Sequence, residues 1–139
     1  MKELYDIADK FNDLGIAPCA MDGKDKWPLA VMYSDFIMKL TGDNTLLSKS
    51  MEAKDFSDPN FEKAADAMNE LISKDFFQKS FTAADYGAAR NLFAQGKAAM
   101  FYMGSWEMSM ATDEAIPEEV RDNVGAFSLP APEGAASQA

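Results

Sequence analysis

The chain has 139 residues, 47% of them hydrophobic, with 13 Lys and Arg against 23 Asp and Glu, a formal charge of −10 at neutral pH. That is enough apolar sequence to close one globular core, and the acidic balance argues against nucleic acid or an anionic membrane surface as partner. With no histidine and a single cysteine, Cys19, the 139 residues hold no internal disulfide, no Ser-His or Cys-His nucleophile and no His-bearing metal site. No apolar run approaches the ~20 residues of a membrane span. Met1-Lys2-Glu3 opens without a signal-peptide apolar stretch, which fits either a cytosolic chain or a piece of a longer one.

In chain order, Leu4, Ile7, Ala8, Phe11 and Leu14 fall at helical spacing, with Gly15 as the stop. Ile16 to Met21 reads as a short strand, Pro18 marking an edge or a strand start, and Cys19 within it as a packed apolar group. Asp22 to Lys26 is a polar loop. Pro28 reads as the first residue of a helix with Met32, Tyr33, Phe36, Ile37 and Leu40 on one face, ending at Gly42 and placing Trp27 at its entrance. Residues 43 to 56 show no clean period and read as a loop, with a turn of helix near Leu46 to Lys49. Asp58 as cap and Pro59 at the first position open the clearest helix, its face carrying Phe61, Ala64, Ala65, Met68, Leu71 and Ile72 and its end near Asp75. Phe76, Phe77 and Phe81 cluster in the following loop as a plug for the core. Asp85 then caps a helix carrying Ala88, Ala89, Leu92 and Phe93.

That helix feeds the stretch around which the chain is organised, LFAQGKAAMFYMGSW, Leu92 to Trp106. Gly96 lacks a Cβ and can take the left-handed conformation that closes a helix. Ala98 to Met103 is a short apolar run suited to a strand covered on both faces. Gly104 permits close approach to the backbone, and Ser105 is suited to cap a helix from Trp106 toward Ala111. Pro117 restarts a helical turn, Val124 to Leu129 reads as a strand, and Pro130 to Ala139 as a Pro-, Gly- and Ala-rich tail. The predicted class is α/β: one helix-rich lobe over residues 1–129 with a small central sheet of about three strands, and a tail over 130–139 leading away.

Four strings carry a resemblance: KWPLA at 26–30, DPNFEKAADAMNELI at 58–72, LFAQGKAAMFYMGSW at 92–106 and VGAFSLPAPEG at 124–134. Together they resemble the sugar-binding subunits of bacterial ABC importers, the extracellular solute-binding proteins of the maltose-binding-protein-like group. The resemblance implies a periplasmic-binding-protein-like fold, two α/β lobes closing on a ligand without chemistry, and a chain covering much of the second lobe. It further implies a sugar ligand, a missing first lobe, a membrane permease as partner, no cofactor, and a place in the periplasm or on the outer face of the cell membrane.

A sugar presents faces of C–H bonds rimmed by hydroxyls, so its site needs flat aromatic rings and nearby donors and acceptors. Trp106 is the leading ligand-binding residue, with a core Trp under the strand as the alternative. The N–H groups of Ser105 and Trp106 are candidate hydroxyl donors, beside Gly104, and Ser105 also suits a cap. Trp27, at a helix entrance, is a second aromatic candidate, equally suited to packing. Glu107 is a candidate acceptor, though a carboxylate in a first helical turn also favours the helix dipole. Asp22, Asp25 and Lys26 surround Trp27 and could reach a cleft, but read first as solvated loop charges, and Lys97 reads as a solvent-facing turn residue. No carboxylate pair is set apart by an apolar setting and no phosphate-binding Gly-rich loop occurs, so no catalytic site assembles. The alternative function is a protein-interaction or structural module using the aromatic surface around Trp27 and Trp106.

Overall fold

Apolar residues at helical spacing become six α-helices around two short strands in the computed structural model, which describes residues 1–137. These are α1 (Lys2–Asp13), β1 (Ala17–Ala20), α2 (Trp27–Thr41), α3 (Leu46–Ala53), α4 (Pro59–Ser73), α5 (Tyr86–Ala94), β2 (Ala98–Phe101) and α6 (Glu118–Arg121), with 3-10 helices at Phe81–Ala83 and Ser105–Thr112. The arrangement is α/β and helix-rich, as expected. The Asp58 side chain accepts from the Asn60 N–H at the start of α4, and that of Asp85 from the Ala88 N–H at the start of α5. Each cap satisfies an amide that has no partner in the helix itself.

α2 and α4 pack face to face, burying Met32, Phe36, Ile37 and Leu40 against Phe61, Ala64 and Leu71. The Tyr33 hydroxyl donates to the Phe61 carbonyl at 3.0 Å across this contact. α1 turns Leu4, Tyr5 and Ala8 to the core and leaves Ile7 and Leu14 exposed, so its buried face lies one residue away from the expected stripe. Phe76, Phe77 and Phe81 form a train of rings with centroids 5.3 and 5.2 Å apart, the first two buried. This is the plug that their clustering predicts.

The sheet is smaller than expected. β1 and β2 pair in parallel, Ala17 opposite Ala98, Cys19 opposite Met100 and Ala20 opposite Phe101, and among the described residues they are its only strands. The predicted third strand, Val124 to Leu129, is irregular, with Phe127 exposed. The free side of β1 is taken instead by the phenylalanine loop. The Cys19 N–H donates to the Phe76 carbonyl at 2.9 Å, and the Gln78 N–H to the Cys19 carbonyl at 3.2 Å. An apolar run becomes a strand only where a neighbouring ladder is open, and here a nearer segment has closed it.

Three further departures concern ends. α3 is a full eight-residue helix where one turn was expected. The helix after Gly104 is 3-10 and runs to Thr112. The tail from Pro130 does not lead away over its described part: Ala131 and Pro132 are buried, and the Ser137 N–H donates to the Lys39 carbonyl at 3.0 Å. Residues 138 and 139 of that expected tail lie outside the described residues. The Lys39 ammonium, itself buried, donates to the Leu129 carbonyl at 2.7 Å and pairs with Asp35 at 3.4 Å. Both partners offset the cost of removing that charge from water.

Candidate functional site

Because β1 and β2 run parallel, both release their chains at the same edge of the sheet, where open α/β folds place ligands. From β1 the chain passes through Met21 and Asp22 into the loop that ends at Trp27. From β2 it passes through Tyr102 and Gly104 to Trp106. The Tyr102 N–H donates to the Ala20 carbonyl at 3.2 Å, which carries the pairing to the last turn before the site.

Both loops are held by backbone contacts. Gln78, buried, donates its side-chain amide to the Met21 carbonyl at 2.8 Å and accepts from the Met21 N–H at 2.9 Å. The Gly23 N–H donates to the Phe81 carbonyl at 3.0 Å, and the Lys24 N–H to that of Ala84 at 3.1 Å. Lys26, at φ 67°, turns the chain into α2 through the left-handed region that a side chain resists. On the other loop the Trp106 indole folds back over Gly104 so closely that a Cβ there would lie 2.2 Å from the ring. Gly104 thus admits the close approach that its place in the sequence suggested.

The two indoles meet. Their ring centroids are 6.1 Å apart with planes inclined at 43°, and the side chains remain 41% (Trp27) and 58% (Trp106) exposed. Neither is a core residue, and they share one edge of the molecule. Two adjoining aromatic surfaces open to solvent are suited to cover an apolar ligand face. The first bond of the 3-10 helix runs from the Glu107 N–H to the Gly104 carbonyl at 3.1 Å, which leaves the N–H groups of Ser105 and Trp106 ahead of the ladder. Ser105 does not cap: Gly104 holds the cap position and no side chain bonds to the helix start. A 3-10 start one residue earlier than predicted moves Ser105 into the helix.

Glu107 lies beside this surface with both oxygens engaged by protein. The Tyr86 hydroxyl donates to its Oε1, and Arg90 Nε to its Oε2 at 3.3 Å. Arg90 Nη2 also donates to Asp113 Oδ2 at 2.7 Å. These bonds hold the Arg90 guanidinium above its usual range, the Asp113 carboxyl below its own, and raise the Tyr86 phenol. Asp22 corrects another expectation. It is fully buried, its Oδ1 accepts from the Asp25 N–H at 3.0 Å, and its Oδ2 has no protein partner among the described residues. Burial raises its carboxyl above the ordinary range. Asp25, Lys26 and Lys97 are exposed as expected. Cys19 is buried, its thiol pushed up to about 12 by desolvation, which makes it a packing group.

Tyr86 and Arg90 were missed in the sequence, and Asp22 was read as a solvated loop charge. Tyr86 and Arg90 are i, i+4 neighbours on α5 and so share a face. Asp22 lies two residues past the end of buried β1, at the edge where both strands release their chains, which is a signal against treating it as loop charge. Among the described residues no cluster of metal-ligating side chains occurs, and no helix is long and apolar enough to cross a membrane.

Residues 1–138 match the sequence model of a family described as bacterial extracellular solute-binding protein. No curated protein matches the chain. Solved structures share its fold, two of them as follows. One, from work on xylan utilization by the thermophilic bacterium Caldanaerobius polysaccharolyticus, superposes with a TM-score of 0.83 at 27% identity, over 98% of this chain and 34% of that one. The other, a chitin oligosaccharide binding protein, gives a TM-score of 0.80 at 24% identity, over 96% of this chain and 33% of that one. The chain therefore spans about a third of the length of the solved structures it matches.

Proposed function

The chain belongs to the bacterial extracellular solute-binding proteins, and on that premise we propose that it binds a carbohydrate without chemical conversion, at the edge bearing Trp27 and Trp106. The carrying observation is the indole pair, 6.1 Å apart and half exposed, beside the N–H groups of Ser105 and Trp106 that precede the first bond of the 3-10 helix. Rings supply area for the C–H faces of a sugar, and amides supply donors for its hydroxyls. Gly104 admits the Trp106 ring over the backbone, and Glu107 anchors the turn that carries it. The names of the two structural neighbours, one concerned with xylan and one with chitin oligosaccharides, favour a sugar over other polar solutes. Residues 1–129 form one lobe of a larger clamp in this reading. Its working partners are a second lobe and a membrane permease of an ABC importer, and its place is outside the cytoplasmic membrane.

Isothermal titration of the longest natural form of the protein with xylo-oligosaccharides, chito-oligosaccharides and maltodextrins tests the proposal. Trp106→Ala is expected to weaken the best ligand by ~1–3 kcal/mol through lost stacking area, with the fold retained. Unchanged affinity in that variant refutes the assigned site. Failure of every sugar to bind, with both indoles in place, would favour a protein partner for the same aromatic surface.

A further inference from the structure

The segment that carries Trp106 has little of its own to hold it. Ser105–Thr112 is a 3-10 helix of eight residues, well beyond the three or four at which that poorly bonded geometry usually stops. Met110 is its one buried residue. What spans it is a single side chain of α5. Arg90 donates Nε to Glu107, the residue after Trp106, and Nη2 to Asp113, which closes the helix at its far end. Tyr86, one turn earlier on α5, donates to the second oxygen of Glu107. The Arg90, Glu107 and Asp113 side chains are 24%, 12% and 32% exposed, so these charge-assisted bonds are only partly screened by solvent. The same helix also touches the Trp27 loop, since Asp85 at its start pairs with Lys24 at 3.2 Å. Phe101 of β2 packs against Tyr86 and Phe93 of α5, with centroids 6.3 Å apart in each case. α5 thus touches both loops that present the indoles.

From this we propose that Arg90 is a positioning residue, fixing Trp106 beside Trp27 by tying both ends of the 3-10 helix to α5. The role rests on the reading of the indole pair as the ligand surface, but the geometry it sets is measurable without ligand. Two indoles this close and inclined couple their transitions, which gives paired bands of opposite sign in circular dichroism. The 139-residue chain should show this couplet, and Trp106→Phe should abolish it. Arg90→Met, which keeps the apolar stem, should lower the couplet at least twofold at full helical signal, and Arg90→Lys should restore part of it. A residue that only stabilised the fold would lower the unfolding midpoint and leave the native couplet unchanged. Should Arg90→Met fail to fold, the more exposed arm supplies the test, with Asp113→Ala expected to reduce the couplet partially. A wild-type couplet in the folded Arg90→Met chain, or in Asp113→Ala where Arg90→Met does not fold, overturns the proposal. So does the absence of any couplet in the wild type. A couplet lost in Arg90→Met with no sugar bound by the natural protein would refute the carbohydrate reading and leave the positioning role standing; sugar binding with an unchanged couplet in Arg90→Met would do the reverse.

Discussion

At Gly104 a methyl group would lie 2.2 Å from the Trp106 ring, yet the backbone there, at φ −79°, suits any L residue. Gly104→Ala therefore strains nothing but the indole. The ring is the end of a side chain and can swing aside, so the substitution should spare stability and act on the site. A side chain forced out of a packed position costs about 1–3 kcal/mol, and that loss is expected in ligand affinity, with the thermal midpoint nearly unchanged. Titration beside a melting curve checks this; a fall in the midpoint with affinity intact would mean that the Trp106 ring serves the core. At the same scale, Asp22 and Glu107 show what spacing leaves unread. Both stand where a charge would ordinarily face water, and the structure buries one and engages both oxygens of the other. Whether a carboxylate finds a partner depends on residues far along the chain, Tyr86 and Arg90 for Glu107, and local pattern carries no trace of them.

Among the elements, those begun by their own chemistry are the ones legible in sequence. Asp58 with Pro59, and Asp85 ahead of α5, specify their helices through contacts within a few residues, and α4 and α5 start where they should. Asp58→Ala removes the acceptor of the Asn60 N–H, and on the usual worth of such a cap it should lower stability by ~1 kcal/mol. Urea unfolding monitored on the whole chain measures that loss, and an unaltered midpoint would show α4 held by packing alone. Trp27 and Trp106 were legible for a similar reason: each stands at the junction of a strand exit and a helix start, which local signals mark. The strand expected at Val124–Leu129 fails for the opposite reason. Strand formation is a property of two segments, and the partner edge on β1 had gone to Phe76–Gln78, whose rings suggested only a core plug. The 3-10 helix Ser105–Thr112 likewise has its side-chain ties outside itself, to Arg90 of α5, which local pattern does not mark.

For the molecule as a whole, the proposed function makes the indole surface one wall of a larger site. It lies open at the sheet edge, and the chain spans about a third of the length of the solved structures it resembles. The lobe itself should fold alone, since Phe36, Ile37, Met32, Leu71 and Phe76 close a core drawn entirely from these residues. Binding is another matter. Small-ligand sites commonly bury roughly 70–90% of the ligand, and a single wall leaves the outer sugar face in water. The contacts fall by about half, while the entropic cost of immobilising the ligand, at least ~4 kcal/mol, stays the same. Because each 1.4 kcal/mol is about a tenfold change, a micromolar site in a two-walled parent falls to about millimolar or weaker in this chain. Titrating the 139-residue chain and the longest natural form of the protein against one sugar panel makes the comparison. Weak or absent binding by the former, with a cooperative melt confirming its fold, is the expected result. Equal micromolar affinity in both would place a complete site within these 139 residues, and the second wall would have no part in recognition.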